Sequence, residues 1–178
     1  MVNNININNI NINTNININT NINNMKTTTS TVISTLILPQ EQSNFIYYIS
    51  YCAVPSFLYG LYTTQYFYAI TPGIGFITSI NYWRHPIYSW RRNVDICFVC
   101  SSYIYNMFNA NKTYYAMLYY TFACIAGGFY LLSWFYYNKK QYWLSTYSHS
   151  MVHVLGNIAL CIFFYGAKIN DLTNLENI

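Results

Sequence analysis

The sequence predicts an all-α fold, a polytopic transmembrane helical bundle of about five spans behind a disordered N-terminal region. Three observations carry that expectation. Charged residues make up 7% of the 178 residues, while apolar residues reach 54% and aromatic residues 20%. Soluble domains carry about 25% charge, so this composition cannot clothe a water-facing surface. Three long stretches, Gln42 to Trp83, 113 to 138 and 141 to 167, contain no Lys, Arg, Asp or Glu. A soluble helix does not stay uncharged over such lengths, because one face must meet water. The mean hydropathy of +0.17 is modest. An Asn-rich leader lowers it, as does the abundance of Tyr, whose ring suits the membrane interface despite its polar score.

The chain opens with residues 1–43. Positions 3 to 24 read NNININNININTNININTNINN, and a Thr/Ser tract follows from Thr27 to Thr31. The Asn-Ile alternation has the period of a strand, but a lone repetitive strand has no sheet to join and no varied side chains to pack. The region is therefore expected to be disordered. Met25-Lys26 and the following TVISTLIL resemble the start of a signal peptide, but the apolar run is short, is broken by Ser and Thr, and ends at Pro39 without an evident cleavage site.

Five spans are expected in residues 44–167, each near the roughly 20 residues that a bilayer core requires. The first runs from Asn44 to Thr63 and the second from Gln65 to Trp83, with Pro72 and Gly73 inside it. The segment RHPIYSWRRN then closes the second span, since Pro86 disfavours helix at the residue before it and the stretch is basic. The third span is Val94 to Ala110, the fourth Tyr114 to Tyr137 with Gly127-Gly128 inside it, and the fifth Tyr142 to Ala167; a short polar tail, 168–178, follows. Internal Pro and Gly suggest kinks or close helix packing, because neighbouring helices re-satisfy the freed backbone groups. Clusters such as YYAMLYY, SWFYY and NYW fit interfacial aromatic belts.

Basic residues orient the bundle. With the N-terminus in the cytoplasm, that side holds Lys26, Arg84, Arg91, Arg92, Lys139 and Lys140, and the other holds Lys112 and Lys168. Six against two predicts N-in and C-out.

The same parity brings all three histidines to one membrane face. His85 ends the second span, His149 and His153 lie early in the fifth, and Asp95 opens the third. His149 and His153 are spaced i, i+4 on one helical face, with Asn157 a turn deeper. Two imidazoles so placed can share a metal, and a third His with a carboxylate nearby suits a Zn2+ ion that carries a water. The plainer alternative treats the histidines as interfacial hydrogen-bonding groups, and Asp95 as an ion-pair partner of Arg91 or Arg92 or a favourable charge at a helix start.

SHSMVHVLGN, residues 148 to 157, together with Ser79, His85 and Asp95, resembles the CREST superfamily of membrane hydrolases and receptors, which includes alkaline ceramidases and adiponectin receptors. The resemblance implies a seven-helix core in which zinc held by three His hydrolyses a lipid amide. Carried over by position, His85, His149 and His153 are the zinc ligands, Asp95 orients or deprotonates the water, and Ser79 contributes to the oxyanion or water site. The spacing departs from the family. Its Ser precedes its His by four positions, whereas Ser79 and His85 are six apart, and position 83 is Trp. Asn81 or Thr78 aligns better with His85 on a helix.

The five cysteines, Cys52, Cys97, Cys100, Cys124 and Cys161, all fall inside the spans, where a free thiol packs as a small hydrophobe. Cys97 and Cys100 form CxxC without the strand-to-helix setting of a redox motif. No phosphate loop, Ser-His-Asp set or basic nucleic-acid patch is present. Two functions from different classes follow: a structural or scaffold-like multi-pass protein whose partner is the bilayer, and a zinc-dependent hydrolase of a lipid amide or ester. A transporter or channel is a third, weaker one, since no polar stripe crosses a whole span.

Overall fold

The computed structural model describes residues 36–176, so the Asn/Ile region, the signal-peptide reading and Lys26 lie outside the described residues. Among the described residues the protein is all-α, with five helical rods and no strand. The first rod comprises α1 (Gln40–Ile49), a 3₁₀ turn (Ser50–Cys52) and α2 (Ala53–Tyr62). The others are α3 (Tyr66–Trp83), α4 (Trp90–Ala110), α5 (Ala116–Asn138) and α6 (Tyr142–Glu176).

Proline chemistry shapes the first two rods. Pro39 stands just before α1, where its missing N–H costs nothing, and the rod begins four residues earlier than expected. Pro55 is the third residue of α2, and its ring crowds the backbone one turn back, at the 3₁₀ turn, where tighter winding is the local response. In α3, Pro72 cannot donate to the carbonyl of Tyr68. The Thr71 hydroxyl donates to that carbonyl at 2.7 Å instead, so the helix continues through Pro72.

Two sharp reversals separate neighbouring rods. After α2 the amide of Thr64 donates to Leu61 and that of Gln65 to Gly60; after α5, Lys140 donates to Tyr137 and Gln141 to Tyr136. Both are Schellman turns, and they place Thr64 at φ 62° and Lys140 at φ 57°. This left-handed conformation is usually glycine's, but Thr and Lys occupy it here, so no glycine marks these turns in the sequence.

The rod α6 packs most extensively on α5 and also meets α1, α2 and α3. It continues to Glu176, so the expected polar tail is helical over most of its length. Asn170 donates to the carbonyl of Lys112, and Gln65 donates to the Asp171 carboxylate at 2.8 Å. Gly166 lets the α4–α5 loop lie on α6, since a Cβ there would stand 3.0 Å from the Tyr115 amide nitrogen.

Two apolar clusters close the ends of the bundle. One contains Ala110, Tyr119, Ala123, Ala159, Phe163 and Phe164, and the other Leu38, Ile46, Tyr82 and Trp83. The helix α5 continues through Gly127-Gly128. A Cβ on Gly127 would be 3.6 Å from the Tyr103 hydroxyl, and one on Gly128 would meet nothing within 4 Å. The cysteines differ from expectation too. Cys97, Cys100 and Cys124 lie exposed on the outer helix faces, and only Cys52 and Cys161 are half-buried.

Candidate functional site

The candidate residues divide into two groups. On α3, Thr78 and Ser79 point at α4, where both hydroxyls donate to one Asp95 oxygen, Oδ1, at 2.9 and 2.8 Å. Asp95 is 7% exposed. A charge-assisted pair of O–H donors is a strong way to satisfy a buried carboxylate. Arg91 and Arg92 do not serve it: their guanidinium groups lie 5.9 Å from the Trp90 ring centre and 5.2 Å from that of Tyr88. The expectation of an ion pair is thus replaced by hydroxyl donation from the neighbouring helix.

On α6, the rings of His149 and His153 lie 5.2 Å apart, as their i, i+4 spacing requires. The Trp83 ring stands 5.2 Å from that of His149, and Tyr130 of α5 lies 6.4 Å away on another side. Trp83 is one helical turn beyond Ser79 on α3; the hydroxyl donates to Asp95 of α4, and the indole ring meets His149 of α6. The Trp83 Nε1 and the Thr146 hydroxyl are buried without a hydrogen-bond partner among the described residues.

His85 does not join the pair. It lies exposed in the turn after α3, its amide donating to Tyr82 at 3.0 Å and its carbonyl accepting from Ile87. The cause is Pro86, which ends the helix and turns His85 away from the face that carries Ser79 and Trp83. Among the described residues no three His, Cys, Asp or Glu side chains gather as a metal-holding group. Two imidazoles fall one short of the three protein ligands that a catalytic zinc keeps.

A further polar junction lies deeper. Asn157 accepts a hydrogen bond from Ser56 and donates to Cys52 Sγ at 3.4 Å and to the His153 carbonyl at 2.7 Å. An open groove of about 450 Å³ between α2 and α6 runs past these residues, lined also by Tyr59, Cys161 and Tyr165. Asn157 was legible from its place on the histidine face. Ser56 and Cys52, a hundred residues earlier, carry no local signal that could have paired them with it.

No protein family, curated protein or solved structure gives a match to this chain.

Proposed function

We propose that the chain is a multi-pass membrane protein whose five rods all cross the bilayer, acting as a structural or scaffold component. The observation that supports this most is the reversed distribution of polarity. Ser50, Ser56, Ser79, Asp95, Asn106, Ser133 and Thr146 are buried, while Phe67, Phe108, Met117, Leu131 and Trp134 are each at least 66% exposed. Water punishes that arrangement, since exposed apolar patches of this extent drive association. Lipid favours it, because small and polar residues glue helices whose outer faces meet hydrocarbon. Two helices, α5 and α6, are long and apolar enough to cross a membrane. Ser133 in α5 donates to the Ser145 carbonyl of α6 at 2.9 Å, a contact of the kind that joins helices in lipid.

Cysteine accessibility tests the reading. Cys100 lies midway along α4 and Cys124 lies in α5, both on outer faces. Variants keeping only one of these thiols are expected to resist a membrane-impermeant maleimide in intact and opened vesicles, and to react fully in SDS. Full reaction in the opened vesicles removes the five-span reading.

The second reading is a zinc-dependent hydrolase of a lipid amide or ester. The pairing of Ser79 with Asp95 and the adjacent imidazoles of His149 and His153 favour it, and the outward position of His85 weighs against it. Metal analysis of the detergent-purified chain decides the matter. About one zinc per chain, lost in His149→Ala and His153→Ala, supports this reading, and a zinc-free wild type ends it.

A further inference from the structure

Exposed charge is concentrated at one end of the bundle. Arg84 lies in the α3–α4 turn, Arg91 and Arg92 in the first turn of α4, and Lys139 and Lys140 in the α5–α6 turn. The two inter-helix turns belong to the same end in three dimensions. Tyr82 and Trp83, which precede Arg84, share one apolar cluster with Tyr137 and Tyr142, which flank the two lysines. The same end receives the start of the first rod, where the Ile37 amide donates to the Pro86 carbonyl at 2.8 Å.

Little acidic charge offsets these five cations. Glu41, in the first turn of α1, is the exposed acid at that end, and Asp95 is buried and held by the two α3 hydroxyls. Arg84, Lys139 and Lys140 are exposed, and Arg91 and Arg92 half-buried. Three of the five heads lie near aromatic rings: Arg92 over Tyr88, Arg91 by Trp90, and Lys139 over Phe135 at 4.3 Å. Side chains based on interfacial rings place their charges at headgroup level, where Trp and Tyr reside. The opposite end differs. There Lys112 donates to the Asn109 side chain, Lys168 lies over the Tyr62 ring, and Asp171 supplies a negative charge.

We infer that the end bearing Arg84, Arg91, Arg92, Lys139 and Lys140 is a docking surface for anionic phospholipid headgroups. The inference rests on the multi-pass reading, and the partner follows from charge complementarity. Guanidinium groups match phosphate in geometry as well as charge, and a polybasic juxtamembrane surface attracts anionic lipid.

The full chain, purified in mild detergent, is titrated with phosphatidylglycerol or phosphatidylcholine, and bound lipid is counted by native mass spectrometry. Wild type is expected to retain phosphatidylglycerol preferentially. Each charge neutralised in the series Arg84→Gln, Arg91→Gln, Arg92→Gln, Lys139→Gln and Lys140→Gln should lower that preference by about five-fold at low ionic strength, and less at about 0.5 M salt. Lys112→Gln should leave it unchanged. Arg84, Lys139 and Lys140 are exposed, so a loss of selectivity in their variants is not a loss of fold; Arg91 and Arg92 are half-buried, and their variants are read only where thermal unfolding in detergent matches wild type. Equal retention of the two lipids by wild type, or an undiminished preference in the five-fold variant, overturns the inference. Alkaline extraction of the expressing membranes separates the two proposals: release into the supernatant defeats the multi-pass reading, whereas retention with no lipid preference defeats the headgroup inference alone.

Discussion

Gly60→Val is expected to destabilise the bundle by about 3 kcal/mol, the upper range for forcing extra atoms into a filled interior. A Cβ at this position would stand 2.8 Å from the Ala69 Cβ, 3.2 Å from the Ala69 Cα and 3.0 Å from the Phe164 ring. Ala69 has no side-chain rotation with which to retreat, and Phe164 is fully buried. Relief therefore requires α2 to move from α3 and α6 together, which opens the junction that Ser56 and Asn157 close. Even Gly60→Ala should cost stability, although alanine normally gains about 0.5–1 kcal/mol over glycine inside a helix. Gly128→Ala supplies the contrast, since nothing lies within 4 Å of the added carbon. Thermal unfolding in detergent should give opposite signs for these two chemically identical changes. Equal shifts would mean that α2 and α3 are not as closely packed as described.

Asp95→Ala is expected to cost about 3 kcal/mol, because removing one partner leaves a buried group unsatisfied. The Ser79 hydroxyl has Asp95 as its hydrogen-bond partner, while Thr78 retains the Gly75 carbonyl at 3.1 Å. The loss should therefore fall mainly on Ser79. Asp95→Asn keeps an Oδ1 acceptor and should recover more than half of the stability. In a double-mutant cycle, Ser79→Ala should cost much less on the Asp95→Ala background than in wild type. Additive losses would show that the α3–α4 hydroxyl–carboxylate bond does not hold these helices. If Asp95→Asn proves as damaging as Asp95→Ala, the negative charge itself is needed for the α3–α4 contact.

Much of the helical framework was legible from single residues. The missing charge between Gln42 and Trp83 marked the first two rods, and the basic stretches at 84–92 and 139–140 marked reversals. The turn at Thr64 fell within one residue of its expected position, although Thr and Lys occupy the two left-handed turn positions. The ends of α4 and α6 were harder to place. Trp90-Arg91-Arg92 and residues 168–176 are polar enough to read as loop or tail, yet helix propensity and contacts such as Gln65 to Asp171 carry the helix through them.

The candidate site was half legible. The imidazole pair follows from a spacing of four on one helix, and its members do meet. The third histidine was expected from parity, which fixes the end of the bundle but not the rotation of a helix. Trp83 has the advantage of a position four residues from Ser79, whereas Pro86 turns His85 outward.

The low charge and long apolar runs by themselves predicted a helical chain with apolar outer faces, and the described residues are helical with many large apolar side chains exposed. Periodicity also fixed which pairs on one helix share a face. Only the tertiary structure decided which faces meet: Thr78 and Ser79 on Asp95, Trp83 on His149, Ser56 on Asn157, and three cysteines turned outward. The reason is physical. A helix's local pattern states its axial spacing, but its rotation about that axis is set by the shape and hydrogen-bonding capacity of neighbours distant in sequence.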